Sequence, residues 1–146
     1  MAEFHADGID GLILSLQELA RIPEEVQDAM LNAGADVLVP VQRAKVKRYG
    51  IYDMSNVETR HVADSIKKGK PKNKRGGGRV IYVTANGSRR RGNTTTRNAE
   101  ILFVNEFGRR NQKGRPAIRD STEEAADAVA AAEQEVWNQH LADLKL

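Results

Sequence analysis

The part of the chain after Pro116 carries its most regular hydrophobic pattern. Small and apolar residues recur there at the three- and four-residue spacing of one helix face. Ser121 and Glu124 have the spacing of a capping box, in which each side chain bonds the backbone N–H of the other residue. The pattern predicts a long helix whose apolar stripe must be buried against another element. The stripe consists of Ala125, Ala126, Val129, Ala132, Val136, Trp137, Leu141 and Leu144.

A second long helix is predicted from residue 24 to about residue 48. Pro23 followed by two glutamates is a helix-start signature, because proline fits the first turn and acids favour the positive end of the helix dipole. Pro40 lies inside this helix and should bend it, because proline lacks the N–H that would bond Asp36. The apolar face consists of Val26, Met30, Ala33, Val37, Val41 and Ala44.

Two shorter helices are also predicted. Residues 11 to 21 form the first, an amphipathic helix after a possible N-cap at Asp10. Residues 57 to 67 form the second, after a loop over residues 49 to 56. The apolar stripe of the first helix consists of Ile9, Leu12, Ile13, Leu16 and Leu19.

The centre of the chain is strongly basic. Residues 67 to 119 hold 16 of the 23 lysines and arginines but only two acids, so this stretch carries about +14 and the remainder about −11. Residues 67 to 79 and 86 to 98 are predicted to be flexible basic loops, because they offer little apolar surface to bury. Residues 79 to 85 and 99 to 107 are rich in β-branched and aromatic residues and predict the two strands of an antiparallel hairpin.

These elements predict a single α+β domain over residues 1 to 146. A long N-terminal helix and a C-terminal helix would pack on a small antiparallel sheet with long basic loops. No apolar run is long enough to span a membrane, and the first residues have no basic region followed by an apolar stretch. We therefore expect a protein that stays where it is synthesised and has no membrane partner.

No residue pattern predicts catalysis. The chain has no cysteine, and its three histidines, His5, His61 and His140, lie far apart without helical metal-site spacing. Glu100 and Glu106 would lie about 20 Å apart on a predicted strand, too far for paired-carboxylate chemistry, and should instead pair with nearby arginines. We expect no enzyme activity, cofactor or metal. A nuclease is the third hypothesis. It would need clustered carboxylates to hold metal ions, and the sequence pattern does not predict such a cluster.

The basic loops predict contacts with partners. Their charge could meet acidic surfaces of neighbouring subunits or the phosphates of DNA. Tyr82 is the one nearby aromatic residue, so stacking on single-stranded bases is not favoured. A small basic nucleic-acid-binding protein of the cytoplasm remains the alternative function. The candidate interface or channel-facing residues are Lys72, Lys74, Arg75, Arg79, Arg89, Arg90, Arg91 and Arg97.

One motif resembles a known family. Residues 104 to 108 (VNEFG) and 114 to 119 (GRPAIR) are similar to the signature of the tail-completion and head-tail joining (neck) proteins of long-tailed double-stranded DNA bacteriophages. Ala117 stands where many members have an aromatic residue, and Asp120 where a second proline is common. In physical terms, Gly108 could end a strand with a positive φ, Pro116 could open the last helix, and Phe107 with Ile118 could pin the two together. The signature residues are Glu106, Phe107, Gly108, Arg115 and Pro116.

The resemblance implies a structural virion protein rather than an enzyme. It implies a ring of six copies around the DNA channel of the neck, assembled in the host cytoplasm, that completes the tail and joins it to the head. The implied partners are a head-side connector or stopper protein, a tail terminator or tail tube protein, and double-stranded DNA that passes without sequence specificity. The charge pattern adds a hypothesis: acidic helices of one copy meet basic loops of the next, Arg89, Arg90 and Arg91 included.

Overall fold

The computed structural model describes residues 22 to 51 and 61 to 144, and the backbone alone at Arg91. Two long helices pack with short antiparallel strands, so the predicted α+β class is confirmed. The helix predicted over residues 11 to 21 lies outside the described residues, as do most of the loop after residue 49 and the start of the helix predicted from residue 57. The helices are α1 (Glu24–Arg48), a 3₁₀ helix (Val62–Ser65), α2 (Asn98–Phe107) and α3 (Ala117–Asp143), and the strands are β1 (Ile66–Lys68), β2 (Lys72–Asn73), β3 (Arg79–Val80), β4 (Val83–Ala85), β5 (Ser88–Arg91) and β6 (Thr94–Arg97).

The two long helices, α1 and α3, lie antiparallel and make the most extensive contact between elements. Lys45 near the end of α1 pairs with Glu124 near the start of α3. Further along, a Cβ on Gly34 would lie 2.7 Å from the Glu133 carboxylate, so a glycine permits the close crossing. Burial at this crossing raises the pKa of Glu133. The helix predicted over residues 24 to 48 is confirmed, and it continues through Pro40 as one element.

The hydrophobic core lies at one end of the helix pair. There the last turns of α1, the 3₁₀ helix, β1, β4, α2 and the first residue of α3 come together. The buried residues of this cluster are Val46, Ile51, Val62, Ala63, Ile66, Ala85, Leu102 and Ala117. The core is small and aliphatic, so a modest number of side chains positions α2 and the strands against α1.

The basic segments form strands where the sequence predicted loops. Among the described residues, β1 pairs with β4, β2 with β3 and β5 with β6, all antiparallel. Backbone ladders need no apolar side chains, and Gly92-Asn93 forms a two-residue turn between β5 and the threonine-rich β6. The loop prediction for residues 67 to 79 and 86 to 98 was therefore wrong wherever these strands occur.

The strand predicted over residues 99 to 107 was also wrong, because this segment is the helix α2. Its run of apolar residues fits both the spacing of a helix and that of a buried strand. The helix buries Leu102 and exposes Phe103. The predicted hairpin with residues 79 to 85 is consequently absent. That segment divides into β3 and β4, and β4 pairs with β1, so that Ile66 lies opposite Ala85.

The capping box predicted at Ser121 was wrong. α3 already begins at Ala117, so Ser121 is a buried residue of the helix, and its hydroxyl donates to the Ile118 carbonyl at 2.9 Å. The Ser121–Glu124 spacing is a local signal within α3. The N–H groups at the start of α3 are instead capped by a side chain of α2.

Candidate subunit interface

Glu106, the acid of the phage-neck signature, caps α3. Its two carboxylate oxygens accept hydrogen bonds from the backbone N–H groups of Ile118, at 2.9 Å, and Arg119, at 2.8 Å. The first N–H groups of a helix have no partner within it, and a negative charge there is favoured by the helix dipole. The expected ion pair of Glu106 with an arginine is therefore replaced by a cap, whereas Glu100 does pair with Arg97 at 2.9 Å.

Gly108 and Gly114 allow the chain to turn back tightly between α2 and α3. Gly108 has φ of 78°, and a Cβ there would lie 2.5 Å from the Gln112 carbonyl oxygen and 2.6 Å from the Gly114 nitrogen. A Cβ on Gly114 would lie 2.9 Å from the Glu106 carbonyl oxygen. The positive φ predicted for Gly108 is correct, but it ends a helix rather than a strand. Both positions exclude side chains.

Arg115 connects this turn to the end of α1. Its Nη1 donates to the carbonyl oxygens of Tyr49, at 3.0 Å, and Gly50, at 3.3 Å, while its Nη2 donates to Asn105 Oδ1 at 2.6 Å. Pro116 follows directly and precedes the first residue of α3. Four of the five signature residues, all except Phe107, thus form one joint among three helices together with Gly114. We call it the signature joint: Glu106, Gly108, Gly114, Arg115 and Pro116.

Tyr49 adds a second connection between α1 and α3 beside the joint. Its hydroxyl donates a short hydrogen bond to Asp120 Oδ2. This bond, with help from Arg119, lowers the pKa of the Asp120 carboxyl. The same bond raises the pKa of the Tyr49 hydroxyl. Asp120, which stands where the resemblance favours a second proline, therefore has its own structural task.

Phe107 does not pin α2 to α3 as predicted, because its side chain is 71% exposed. Phe103, one turn earlier, is 64% exposed, and the two ring centroids lie 4.9 Å apart. Of the predicted pair Phe107 and Ile118, only Ile118 packs against the core. Beside the two rings lies an open groove of about 420 Å³, lined mainly by apolar side chains of α2, β4 and the start of α3. We call this surface the α2 groove.

Arg79 is not available to a partner. Its Nε and Nη2 donate to the two Asp28 oxygens at 2.7 and 2.8 Å, and its Nη1 lies 3.1 Å from Glu24 Oε1. The Asp28 carboxylate raises the pKa of Arg79, so the guanidinium stays charged. Arg79 therefore anchors the β2–β3 hairpin on α1, and its assignment to a partner interface or DNA channel is not favoured by this placement.

The tip of the β2–β3 hairpin carries the exposed basic charge. Lys74 and Arg75 lie in the turn, which closes where the Lys74 N–H donates to the Gly78 carbonyl at 2.9 Å. Neither side chain forms an ion pair with any residue that the structure describes. Lys72 lies on the strand, with its ammonium 4.7 Å from the centre of the Tyr82 ring. One face of that ring is thus covered, which disfavours base stacking.

The β5–β6 hairpin divides its predicted residues between structure and surface. Arg89 is half-buried, and its Nε donates to Asn98 Oδ1 at 3.0 Å at the start of α2. Arg90 is exposed, and its Nε donates to the Gly92 carbonyl at 3.2 Å within the same turn. Arg97 pairs with Glu100. A triple substitution of Arg89, Arg90 and Arg91 would therefore disturb the hairpin as well as its charge.

Part of the charge asymmetry is satisfied within the subunit. Besides Arg79, the basic residue Lys68 pairs with Asp36 of α1 at 2.8 Å. Other charged side chains are exposed. Among them, Glu123, Asp127 and Glu135 of α3 form no ion pair with any described residue, and neither do Lys74 and Arg75 at the basic tip. Surfaces of opposite charge thus remain for contacts between copies.

No described group of three or more histidines, aspartates and glutamates could hold a metal ion. His61 Nδ1 accepts the Ala63 N–H at 3.0 Å and caps the 3₁₀ helix, and burial lowers its pKa. His140 lies against Trp137, with ring centroids 5.5 Å apart. None of the helices within residues 22 to 51 and 61 to 144 combines the length and hydropathy that crossing a bilayer requires.

No family model, curated protein or solved structure matches this chain. Its function must therefore be argued from the surface just described and from the motif. Sequence reasoning missed Phe103 as a surface residue. The available signal was the four-residue spacing of Phe103 and Phe107, which places both rings on one face once the segment is read as a helix.

Proposed function

We propose that this protein is a structural subunit of a bacteriophage neck, which completes the tail and joins it to the head connector as a ring around the DNA channel. The signature joint carries the proposal. Residues that the sequence relates to tail-completion proteins, separated by up to ten positions, act together to fix α2 against α3 and α1. A motif whose residues form one joint is more specific than the same residues scattered over the surface.

The surface left by this joint suits assembly. Two exposed phenylalanines beside an apolar groove expose surface that a partner could bury. The basic tip at Lys74 and Arg75 and the outward acids of α3 supply opposite charges on different elements. A contact between unlike surfaces is heterologous, and its repetition forms a ring when the rotation between successive copies closes on itself.

The proposal is tested with purified protein and phage tails that lack it. Added protein should form a ring at the head-proximal tip of the tail in electron micrographs, and the tails should then join filled heads. Lys74→Glu combined with Arg75→Glu should fold normally but fail to dock. Lys74→Arg combined with Arg75→Lys, which keeps both charges, should dock like the wild type.

The nucleic-acid-binding alternative is favoured by one observation, the exposed cations at the β2–β3 tip. It predicts that the free subunit binds DNA tightly and that the affinity falls steeply with salt. Tight, salt-sensitive DNA binding without any docking to tails would replace the neck proposal with this alternative.

A further inference from the structure

Two neighbouring rings on α2 are exposed without any part in holding the fold. Phe103 and Phe107, which we call the phenylalanine patch, line one side of the α2 groove. The signature joint and the core hold α2 through Glu106, Arg115 and the buried Leu102, none of which needs these rings. Each ring that a partner covered would contribute free energy in proportion to the apolar area buried.

A second groove, of about 500 Å³, lies at the other end of the helix pair, between the start of α1 and the end of α3. Alanines of both helices line it, and their short side chains leave the space open. An aromatic ring could therefore lie against a surface of methyl groups there. The apolar part of its lining consists of Val26, Ala29, Ala33, Ala132 and Val136.

The charges beside the two surfaces are opposite. Three exposed acids line the second groove, which we call the acidic groove, and within the described ranges none of them forms an ion pair. These acids are Glu25, Glu135 and Asp143. Three exposed cations follow Phe107 in the turn after α2, and they too have no ion-pair partner among the described residues. These cations are Arg109, Arg110 and Lys113. Opposite charges around two apolar surfaces favour contact between them.

The helix α3 keeps the two surfaces of one subunit apart. Ile118 lines the α2 groove beside the phenylalanine patch, whereas Val136 lines the acidic groove. Both residues belong to the same continuous helix, and the eighteen positions between them span about 27 Å at 1.5 Å per residue. The patch can therefore reach an acidic groove only in another copy.

Contact between unlike surfaces is favoured over contact between like ones. Two phenylalanine patches that faced each other would bring the cations of both copies together, and two acidic grooves would do the same with the acids. Juxtaposed like charges at an interface are costly. Pairing the patch with the acidic groove instead places each set of charges opposite its complement.

We propose that the phenylalanine patch of one copy lies in the acidic groove of the next copy, with the cations after α2 facing the acids of the groove. The inference deepens the proposed ring, on which it rests, by naming the two surfaces that join adjacent subunits. The contact is heterologous, since each copy offers its patch to one neighbour and its groove to another, and it forms a ring when the rotation between copies closes.

Exchange of the charges tests this contact. Arg109→Glu with Arg110→Glu makes the patch acidic, and Glu135→Lys with Asp143→Lys makes the groove basic near the end of α3, where lysine suits the helix dipole. Each variant alone should self-associate about tenfold more weakly than the wild type, because like charges then meet. An equal mixture of the two should associate like the wild type, because every contact in an alternating arrangement again joins opposite charges. Sedimentation velocity at low salt measures both effects.

The control for this exchange places lysines on α3 outside the groove. Gln134→Lys with Asn138→Lys changes two exposed positions that do not line the groove, and it should associate like the wild type. A groove variant that associates as well as the wild type, or a mixture that shows no rescue, would overturn the proposal. A wild type that stays monomeric up to its solubility limit would do so as well.

Disulfide capture tests the placement itself, because the chain has no native cysteine. Ala29→Cys lies in the acidic groove, and Ala99→Cys lies one helical turn before Phe103; both alanines are exposed. The two single variants, one enlarged by a tag, are mixed and oxidised, and a disulfide between the unlike chains is expected. Ala99→Cys mixed with Ala130→Cys, which is exposed on α3 and lines neither groove, should give far less. A preference for disulfides between two Ala99→Cys chains would show that like surfaces meet and would refute the pairing.

The contribution of the rings is measured separately. Phe103→Ala with Phe107→Ala should leave the far-ultraviolet circular dichroism unchanged, because both rings are exposed. The self-association constant should fall about tenfold or more, because less apolar area is buried. Tyr82→Ala removes another exposed ring, outside the patch, and should have little effect. An unchanged constant for the double variant would exclude the patch from the contact.

Failure of this inference is distinguishable from failure of the neck proposal. If the protein docks on tails as a ring and each charge variant docks equally well by itself, the patch-to-groove contact is wrong and the neck function stands. If the wild type does not dock on tails but the disulfide between Ala29→Cys and Ala99→Cys forms, the neck function is wrong and the contact stands.

Discussion

At the scale of single residues, Glu106 shows how a surface carboxylate can stabilise a helix to which it does not belong. Both of its oxygens accept N–H groups of α3, which begins eleven positions later in the chain. Such a cap stabilises the helix in two ways. The carboxylate accepts hydrogen bonds from backbone N–H groups that have no partner within the helix, and its negative charge is attracted to the positive end of the helix dipole.

We expect Glu106→Ala to lower the free energy of unfolding by about 1 to 2 kcal/mol, because two backbone N–H groups lose their charged partner. The measurement is urea denaturation followed by circular dichroism. Glu100→Gln, on the same helix, removes an exposed ion pair and one charge in the first turn of α2, and it should cost less, about 0.5 kcal/mol. Equal losses for the two variants would contradict the capping role.

The Tyr49–Asp120 hydrogen bond gives a prediction about pH. It holds the pKa of Asp120 below the ordinary value of 3.8. A carboxyl whose pKa is depressed by folding adds stability that is fully present above its unfolded pKa and is lost as the pH falls through the folded value.

Tyr49→Phe should therefore be less stable than the wild type at neutral pH, and the difference should shrink below about pH 4, where Asp120 becomes protonated. Thermal unfolding at a series of pH values measures this difference. Tyr82→Phe removes a hydroxyl from an exposed ring and should show no such pH dependence. If the stability difference between Tyr49→Phe and the wild type stays constant down to pH 2, ionisation of Asp120 does not contribute to it.

At the scale of elements, the β2–β3 hairpin is too short to be stable alone. It has two residues in each strand, and an isolated two-stranded hairpin is marginal in water. Arg79 supplies the missing attachment through its two-pronged contact with Asp28. The hairpin is thus held on α1 by a side chain that the sequence assigned to a partner.

Arg79→Gln should release this hairpin from α1 while the helices remain folded. Hydrogen exchange should then accelerate at the amides of β2, β3 and the turn between them, with little change in α3. Arg75→Gln removes a charge from the exposed tip of the same hairpin and is the matched control. Unchanged exchange in Arg79→Gln would show that the short ladder holds by itself.

At the scale of the whole molecule, opposite charges and an apolar groove have different consequences for assembly. Exposed charges steer approaching copies over roughly a Debye length, which falls from about 10 Å at 0.1 M salt to about 3 Å at 1 M. Apolar burial is not screened in this way. Charge should therefore govern how fast copies associate, and the groove how long they stay together.

Raising the salt concentration from 0.05 to 0.5 M, both chosen as experimental conditions, should slow association by about tenfold and change dissociation much less. Stopped-flow light scattering measures both rates. Lys74→Glu with Arg75→Glu should associate slowly at low salt and lose most of the salt dependence. If salt instead accelerates dissociation by the same factor, ionic contacts rather than the groove hold the assembled copies.

The sequence by itself determined the α+β class, the two long helices and the segregation of charge. Both helices are long and periodic, and α1 also has a local start signal, so the prediction of these two elements does not depend on distant residues. The cap of α3 was not predicted, because it comes from Glu106 of α2. The start of α1 after Pro23 and the long run of α3 after Pro116 needed only neighbouring residues. The positive φ of Gly108 was likewise a local property.

Only the tertiary structure decided the conformation of residues 99 to 107 and the availability of the basic residues. An apolar run of that length fits a strand or a helix, and the choice depends on which face finds the core, here through Leu102. Arg79 and Asp28 are 51 positions apart, so their pairing cannot be read from spacing. Local patterns set which elements can form, while long-range packing sets which charges are used inside the subunit and which remain for a partner.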